Sequence, residues 1–187
     1  MKKDPQCPIP LETKNGLCLD YLKETDAPEL FSLVDQNRSH LKEFLPWLNS
    51  TQGPKDSEGF IKSLQESNRL RKTLGLSVKK EGKIIGMASF NTIDWANKVG
   101  RIGYWLSQSE QGQGVMTKAC QKLLSLGFKD FSLNKIEIRC ATQNLASKKI
   151  PERLDFTCEG TLREAEWLYD HFVDHDVYGL LKKEWVS

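Results

Sequence analysis

The sequence lacks the features that mark several large classes of protein. It has no stretch near the roughly 18 apolar residues of a membrane-spanning helix, and the lysines at its start are not followed by the apolar segment of a secretory signal. Lys and Arg number 27 and Asp and Glu 25, a net charge of only +2. Proteins that bind nucleic acid or anionic membranes through bulk charge usually have a strong basic excess. We therefore expect a cytoplasmic protein that binds neither nucleic acid directly nor a membrane.

Cysteine and histidine are also sparse. The five cysteines, an odd number without a C-x-x-C pair, predict neither a disulfide framework nor a structural zinc site. His171 and His175 are four residues apart, but their segment is predicted to be a turn and a strand. There this spacing does not bring two side chains together as it does on a helix. We therefore expect no bound metal.

The sequence does contain enough apolar material for one core. Its 187 residues fit one domain of about 100–200 residues. Hydrophobic residues make up 39%, and they include five Trp and eight Phe. Residues 1–15 are rich in Pro, Lys and Thr and are predicted to be an N-terminal lead-in, whereas residues 16–187 are predicted to form a single domain.

The spacing of the apolar residues predicts an α/β (α+β) domain. Helical spacing indicates helices over about 25–37, 54–69, 115–131 and 145–154, with a short helix and a turn within 41–48. Alternation indicates strands over 16–22, 74–78, 84–90, 101–106, 135–140, 156–168 and 173–185. Short turns between the second, third and fourth strands predict an antiparallel meander, and the strand–helix–strand passage that follows predicts a parallel crossover. We expect a mixed, mostly antiparallel central sheet flanked by helices.

Two glycines one residue apart lie where the last meander strand gives way to a long helix. Residues 111–114 are Gln-Gly-Gln-Gly, and a helix N-terminus offers unpaired N–H groups and the positive end of the peptide dipole to an anion. Glycines let such a backbone approach a phosphate closely, although a tight turn without a ligand has the same pattern. The phosphate-loop pattern G-x-x-x-x-G-K-[ST] is absent. A dinucleotide fingerprint is matched in part, with Thr117 in place of its third glycine and Glu137 as its acidic residue.

These glycines resemble the acetyl-CoA pyrophosphate loop of the GNAT N-acetyltransferases, [QR]-x-x-G-x-[GA]. The segments I-G-Y-W-L (102–106) and Q-G-Q-G-V-M-T-K-A (111–119) are similar to the RimJ/RimL branch, which acetylates the N-termini of ribosomal proteins. A second block, 144–156, is similar to the branch pattern N-x-x-S-x-x-x-x-E-x-x-G-F, and the resemblance runs from about Leu17 to Trp185. Two residues depart from the pattern. Pro151 lies inside a predicted helix, where proline costs about 3 kcal/mol, and Asp155 replaces a glycine at a position expected to need positive φ.

The resemblance implies a single GNAT-like domain in which an amine directly attacks the acetyl group of acetyl-CoA. It assigns Glu166 as the base that accepts the amine's proton, directly or through a water, and Ser147 as the hydroxyl that donates a proton or hydrogen bond to the CoA sulfur. An α-amino group, with a pKa of about 7.7–8.0, is already partly neutral at pH 7, so a modest base suffices. For acetyl-CoA binding the resemblance implies Leu106, Ser107, Gln111, Gly112, Gln113, Gly114, Val115, Met116 and Asn144.

The resemblance also implies a homodimer and places Cys140 near the thioester, where we expect it to pack and not to react covalently. The acceptor stays open between the N-terminal α-amine of a ribosomal protein and a small amine such as a polyamine or an aminoglycoside. The segment 159–176 has six acidic residues and one Arg, and such a rim would attract either cation. Two other classes also stay open: a non-catalytic acyl-CoA-binding domain and a dinucleotide-binding oxidoreductase.

Overall fold

The computed structural model of the protein describes residues 9–11 and 16–186, which include an eight-stranded sheet. The strand order is β1-β2-β3-β4-β5-β6-β8-β7, and neighbouring strands are antiparallel except for β5 and β6, which are parallel. The strands are β1 Ile9–Pro10, β2 Cys18–Asp20, β3 Leu74–Lys80, β4 Lys83–Asp94, β5 Val99–Leu106, β6 Lys135–Ala141, β7 Thr157–Leu168 and β8 His171–Leu181.

Five α-helices are present in the described part of the chain. They are α1 Ala27–Gln36, α2 Arg38–Lys42, α3 Pro54–Arg69, α4 Val115–Ser125 and α5 Leu145–Arg153. Single 3-10 turns occur at Glu24–Asp26, Leu48–Ser50 and Gln108–Glu110, and α4 continues into a π-helical turn, Leu126–Asp130. None of the helices in these ranges has the length and apolar character needed to cross a bilayer.

The core has a part on each face of the sheet. Leu123 of α4 and Ile138 of β6 belong to the larger cluster, which fills the space under α4 and α5. Leu30 of α1 and Ile61 of α3 pack with Met87 of β4 in a separate cluster on the opposite face. Helices α1 and α3 therefore cover the β3–β4 part of that face.

β5 and β6 separate partway along their length. Their parallel pairing runs from Val99 and Lys135 to Ile102 and Ile138. β5 then continues to Leu106, paired with β4, while β6 continues to Ala141, paired with β8. The two strand ends thus diverge and leave a gap through the sheet.

Most of the predicted elements are confirmed. β3, β4 and β5 form the antiparallel meander, and the parallel crossover joins β5 to β6 through α4. Helix α3 has the predicted bounds because Pro54 occupies its first turn, where a missing N–H costs nothing. Asp56 supports the same end by accepting the N–H of Gly53 at 2.9 Å.

Several predicted bounds are wrong. The strand predicted over 84–90 continues to Asp94, and the short helix predicted within 41–48 is Arg38–Lys42. The first strand, predicted over 16–22, is only Cys18–Asp20. The last strand ends at Leu181, because Trp185 packs against Phe128, with ring centroids 5.3 Å apart, and does not continue the ladder. The helix predicted to end at residue 131 changes to π geometry at 126–130. There Gly127 approaches the sheet so closely that a Cβ would lie 2.7 Å from Ile136 Cδ1.

The predicted lead-in of residues 1–15 lies outside the described residues except for 9–11. There Ile9 and Pro10 pair with Leu19 and Cys18 at the edge of the sheet. This piece of the lead-in therefore belongs to the sheet.

Candidate active site

The glycine turn before α4 is an open cradle of backbone amides. Gly112 and Gly114 have φ of 73° and 72°, a conformation that glycine adopts without strain. Gly114 is the N-cap of α4, and among the described residues no side chain caps this end. The first helical bond runs from Lys118 N to Gly114 O at 3.1 Å, so the earlier amides of the turn point out of the helix end. Apart from the residues that flank it in the chain, no described residue lies within 4 Å of a Cβ built on either glycine.

Side chains from other elements hold this turn in place. Asn37, at the end of α1, accepts a hydrogen bond from the N–H of Gln108 at 2.9 Å. Lys80 of β3 donates to Glu110 Oε2 at 2.8 Å and lies 3.4 Å from Gln113 Oε1. The position of the cradle is therefore set by the fold before any ligand binds.

A cleft of about 1310 Å³ runs through the gap between β5 and β6. Its mouth on the side of α4 and α5 is called here the α4–α5 mouth. Its mouth on the other face, beside the β7–β8 hairpin, is called the hairpin mouth. Of the nine residues predicted to bind acetyl-CoA, those that line the cleft are Leu106, Gln111, Gly112, Gly114, Val115, Met116 and Asn144.

Ser107 and Gln113 do not line the cleft. Ser107 is buried, and its N–H donates to the carbonyl of Ile85 at 2.9 Å. Gln113 turns back to Lys80 and to the carbonyl of Ser109. The structure thus shows both residues positioning the turn.

Ser147 and Tyr104 form a hydroxyl pair at the α4–α5 mouth. Asn144 caps α5 by accepting the N–H of Ser147 at 3.0 Å. Ser147 Oγ donates to the Tyr104 hydroxyl at 3.2 Å, and this hydroxyl donates to the backbone carbonyl of Ser147 at 3.1 Å. The cap, the serine and the tyrosine are therefore one hydrogen-bonded unit.

Pro151 explains why the Ser147 carbonyl can accept this bond. In an α-helix the carbonyl of residue 147 would accept the N–H of residue 151, but proline has no N–H. α5 nevertheless continues to Arg153, with Pro151 buried. The departure from the family pattern thus leaves an acceptor that the Tyr104 hydroxyl uses.

The second departure, Asp155, follows α5 with a φ of 60°. The expectation of positive φ at this position is confirmed. The N–H of Phe156 donates to the carbonyl of Pro151 at 3.0 Å, which is the bond expected where a left-handed residue ends a helix. Aspartate thus fills the role of the usual glycine.

Burial keeps Tyr104 and Cys140 in their protonated forms at neutral pH. It raises the pKa of Tyr104 well above its ordinary value and that of the Cys140 thiol to about 11, although a hydrogen bond with Ser147 acts to lower the latter. A thiol with this pKa offers almost no thiolate near pH 7. Cys140 is therefore not poised as a nucleophile.

Glu166 lies at the hairpin mouth, on the opposite face of the sheet from Ser147. It is paired with Val173 of β8, and His175 lies two residues further on the same face. Glu166 Oε2 and His175 Nε2 are 3.4 Å apart. The neighbouring Asp176 points the other way, because it contacts Lys148 of α5 at 2.7 Å. The cleft therefore joins a carboxylate–imidazole pair on one face to the hydroxyl pair on the other.

Two of the six carboxylates in the acidic segment 159–176 are paired with lysines. Asp176 is bonded to Lys148, which holds the pKa of that carboxyl below its usual range. Glu159 contacts Lys135 at 2.6 Å. Of the six acidic residues in this segment, Glu166 lines the cleft. In the ranges described, no three His, Cys, Asp or Glu side chains are grouped so that they could hold a metal ion.

Sequence patterns did not indicate Tyr104 as the partner of Ser147 or His175 as the partner of Glu166. Tyr104 alternates with Ile102 and Leu106, both in the cluster under α4, and this alternation could have placed its ring near α5. His175 could have been found only from the pairing of β7 with β8, because nothing local connects it to Glu166. Glu137, the acidic residue of the dinucleotide pattern, is bonded to Lys135 and Arg139.

Comparison with known proteins identifies the family. A family model described as "Acetyltransferase (GNAT) domain" matches residues 16–157. The chain belongs to the GNAT acetyltransferases. The predicted family, fold class and use of acetyl-CoA as co-substrate are thereby confirmed, and the glycine turn at α4 fits the cradle that the family resemblance implies.

Individual relatives cover nearly the whole chain. The ribosomal-protein-serine acetyltransferase of Escherichia coli K12 is 30% identical and covers 90% of this chain and 94% of its own length. The microcin C7 self-immunity acetyltransferase MccE, solved with acetyl-CoA and AMP, is 34% identical with a TM-score of 0.85, and the match covers 90% of this chain and 93% of MccE. RimL, a ribosomal α-N-protein acetyltransferase solved with coenzyme A, is 27% identical with a TM-score of 0.89, and the match covers 94% of this chain and 98% of RimL.

Proposed function

We propose that this N-acetyltransferase acetylates the N-terminal α-amine of a protein, most specifically of a ribosomal protein in the cytoplasm. One observation carries the proposal: the Glu166–His175 pair and the Ser147–Tyr104 pair open into one cleft from opposite faces of the sheet. An amine can thus approach from the hairpin mouth while the thioester lies toward the α4–α5 mouth. The similarity to the ribosomal-protein-serine acetyltransferase and to RimL supports this class of acceptor.

The α4–α5 mouth supplies the binding groups for acetyl-CoA, whose thioester provides an activated acyl group. The amides of the Gly112–Met116 turn hold the pyrophosphate at the positive end of α4. Lys149 and Arg153 of α5 line the same mouth, and Arg153 Nη1 is anchored to Thr117 Oγ1 at 2.8 Å. Because backbone amides and two neighbouring cations bind the phosphates, a chain with a net charge of only +2 can hold the anionic acetyl-CoA.

The hairpin mouth supplies the base. Glu166 accepts the proton of the attacking amine, directly or through a water. The side chains of Glu166 and His175 are 33% and 16% exposed, so the carboxylate is reachable by the acceptor while the imidazole behind it holds its orientation. An α-amino group has a pKa near 8, so part of the acceptor amine is already neutral at pH 7. For that part, the base has to accept only the one proton that the nitrogen loses as it attacks.

The hydroxyl pair stabilises the departing sulfur. A serine hydroxyl can rotate toward a new acceptor, so Ser147 Oγ turns from Tyr104 to donate to the developing thiolate. Tyr104 stays bonded to the Ser147 carbonyl and keeps the serine in place. The charge-assisted bond forms only as negative charge develops, so it favours the transition state over the bound substrate.

The experiment is a thiol-release assay with acetyl-CoA and three groups of acceptors: purified ribosomal proteins, short peptides and small amines. We expect acetylation at the α-amine of a ribosomal protein, located by mass spectrometry of the N-terminal peptide. Acetylation of small amines alone would reject the protein acceptor. Stabilisation by CoA without thiol release from any acceptor would indicate a non-catalytic binder, and sedimentation of the same sample tests the homodimer that the resemblance implies.

A small-molecule acceptor is the second candidate, and one observation favours it. Phe44, Trp47 and Trp105 line the cleft, and the two indole rings lie 6.2 Å apart. Such aromatic surface is suited to a flat or apolar acceptor. MccE, which is 34% identical to this chain, was solved with AMP. The small-amine group in the assay should therefore include amine-bearing nucleotides as well as polyamines and aminoglycosides.

A further inference from the structure

Two arginines line the cleft without a role in the steps above. Arg139 of β6 is paired with Val177, which lies two residues beyond His175 in β8. Arg101 of β5 also lines the cleft and is paired with Glu137 of β6. Paired residues and residues two apart lie on one face of a sheet. The two arginines therefore share the face of the hairpin mouth. Arg139 lies level with a position about 7 Å along β8 from His175, and Arg101 lies level with one about 13 Å along.

This group of side chains has a surplus of positive charge. Glu137 Oε2 lies 3.1 Å from Arg139 Nη2 and 3.6 Å from Arg101 Nε. Lys135 contacts Glu137 at 3.1 Å and Glu159 at 2.6 Å. Three cations thus face two carboxylates. Lys135 is shared between the carboxylates and Glu137 is shared among all three cations, so the arginines are only partly neutralised.

The hydrogen bonding of the two guanidinium groups is also incomplete. In the described part of the chain, the buried side-chain nitrogen or oxygen atoms without a hydrogen-bond partner are Arg101 Nε and Arg139 Nε. Buried polar atoms in folded proteins almost always have a partner. The two side chains remain 38% and 31% exposed, so an anion can reach their outer atoms. Guanidinium forks bind carboxylates and phosphates through paired hydrogen bonds.

We propose that Arg101 and Arg139 form a subsite for an anionic group of the acceptor, a carboxylate or a phosphate, while the acceptor amine lies at Glu166. This inference rests on the proposed function and adds the acceptor's class: an amine that carries an anion about two residues away. Residues 1 and 3 of an extended peptide are about 7 Å apart and point to the same side. The third residue of an acceptor peptide lying along β8 is therefore level with Arg139, next to the Glu137 carboxylate that Arg139 shares with Arg101.

The experiment compares acceptor peptides that differ only at their third residue. The peptides begin Ser-Ala-Glu, Ser-Ala-Gln, Ser-Ala-Lys and Ser-Ala-phosphoserine, and kcat/KM is measured for each with saturating acetyl-CoA. We expect the Glu peptide to exceed the Gln peptide by about tenfold, mainly through KM, as for a charge-assisted hydrogen bond at a partly exposed site. The phosphoserine peptide tells whether a phosphate serves as well as a carboxylate, and the Lys peptide should be the poorest acceptor.

The variants Arg139→Gln and Arg101→Gln test the assignment through the Glu/Gln ratio, which does not depend on the fraction of folded enzyme. We expect the ratio to fall toward one in both variants and to be partly kept in Arg139→Lys. Arg69→Gln is the matched control, because Arg69 lies on α3, is paired with Glu66 and does not belong to the cleft lining. An equal rate for the Glu and Gln peptides, or a ratio unchanged in both arginine variants, overturns the subsite alone. Failure to acetylate any peptide, with small amines still acetylated, overturns the protein acceptor and the peptide subsite together.

Discussion

The two mouths of the cleft are built from different kinds of groups. At the α4–α5 mouth, the binding groups are mainly backbone amides and hydroxyls, joined by the cations Lys149 and Arg153, and they come from two continuous segments, residues 104–117 and 144–153. At the hairpin mouth, they are charged side chains on four strands, β5, β6, β7 and β8. The shape of a backbone cradle follows from local φ, with Asn37 and Lys80 fixing its position, whereas a group of side chains needs the correct strand register. The cofactor half is therefore specified locally, and the acceptor half depends on the whole sheet.

This difference agrees with what the two mouths are proposed to bind, the co-substrate at one and the acceptor at the other. MccE was solved with acetyl-CoA and RimL with coenzyme A, and main-chain amides at a helix N-terminus can bind phosphates with little regard to neighbouring side chains. The acceptor differs among relatives, as the names of the ribosomal-protein acetyltransferases and of MccE show. Side chains on strands can change one at a time without moving the backbone of the turn.

Glu166→Gln should have the largest effect, because it removes the base from the hairpin mouth. We expect kcat near pH 7 to fall by about 10²–10³-fold, the usual worth of a positioned base. The deficit should shrink toward pH 9, since more of the amine is then neutral before it binds. The measurement is thiol release from pH 6 to 9.

The matched control for this variant is Glu164→Gln. Glu164 is on the same strand and exposed, and it does not belong to the cleft lining. Binding of CoA should survive in both variants. Wild-type rates of Glu166→Gln over the whole pH range would rule out Glu166 as the base.

Gly114→Val tests the other mouth. The side chain meets open space but must adopt a φ of 72°, which costs a β-branched residue about 1–2 kcal/mol or more. Relief of that strain turns the amides of the cradle away from the phosphates. We expect the Kd for CoA, measured by calorimetry, to rise about tenfold, the equivalent of 1.4 kcal/mol.

Gly82→Val is the control for backbone strain. Gly82 has a φ of 80° in the β3–β4 turn, also with open space around it, and it is not part of the cleft. Both variants should lose stability, but only Gly114→Val should lose affinity for CoA. An unchanged Kd in Gly114→Val counts against the cradle.

Pro151→Ala tests the hydrogen bond between the Tyr104 hydroxyl and the Ser147 carbonyl. The new N–H competes with the Tyr104 hydroxyl for the carbonyl of Ser147, so we expect kcat to fall about threefold to tenfold, the worth of one hydrogen bond. Tyr104→Phe removes the same bond from the other side. In a double-mutant cycle of kcat the combined loss should be smaller than the product of the two single losses.

Thermal unfolding distinguishes the loss of the Tyr104–Ser147 hydrogen bond in Pro151→Ala from a general packing defect. An interior proline is unfavourable in a helix, so Pro151→Ala should unfold at the same or a higher temperature than the wild type. If the loss of kcat in the double variant equals the product of the two single losses, Pro151 and Tyr104 do not act through one carbonyl.

Asp155→Gly has the smallest expected effect. Glycine adopts a φ of 60° more readily than aspartate, so we expect the free energy of unfolding to rise by about 0.5 kcal/mol, with kcat unchanged. Urea denaturation measures the gain, and Asp155→Ala should instead lower stability. A loss of stability in Asp155→Gly would mean that the aspartate side chain makes a contact stronger than the strain it causes.

The predictable parts of the fold are those with strong local signals. Gly53 and Pro54 mark the start of α3, and the turn at Glu81 and Gly82 joins β3 to β4. The end of β8 was not predictable in this way. Trp185 has the apolar character of a strand residue, but its ring packs on Phe128 in the core, a contact between segments more than fifty residues apart.

The candidate site also has parts that the sequence predicts and parts that it does not. The glycine turn and the cap of α5 at Asn144 could be found in the sequence, because each is a pattern of neighbouring residues. The 3.4 Å approach of His175 to Glu166 could not, because it depends on the pairing of Glu166 with Val173 across the β7–β8 hairpin and on the direction of both side chains.

By itself the sequence determined the family, the order of most helices and strands and the glycine turn proposed to bind the phosphates, since these depend on residue type and short-range spacing. Only the tertiary structure decided that β5 and β6 separate, that Glu166 and Ser147 face one cleft from opposite sides, and that Arg101 and Arg139 lie beside it. The physical reason is that strand register and the path of a gap through a sheet follow from packing between distant segments. Such packing is a property of the whole core and is not encoded in any short stretch of residues.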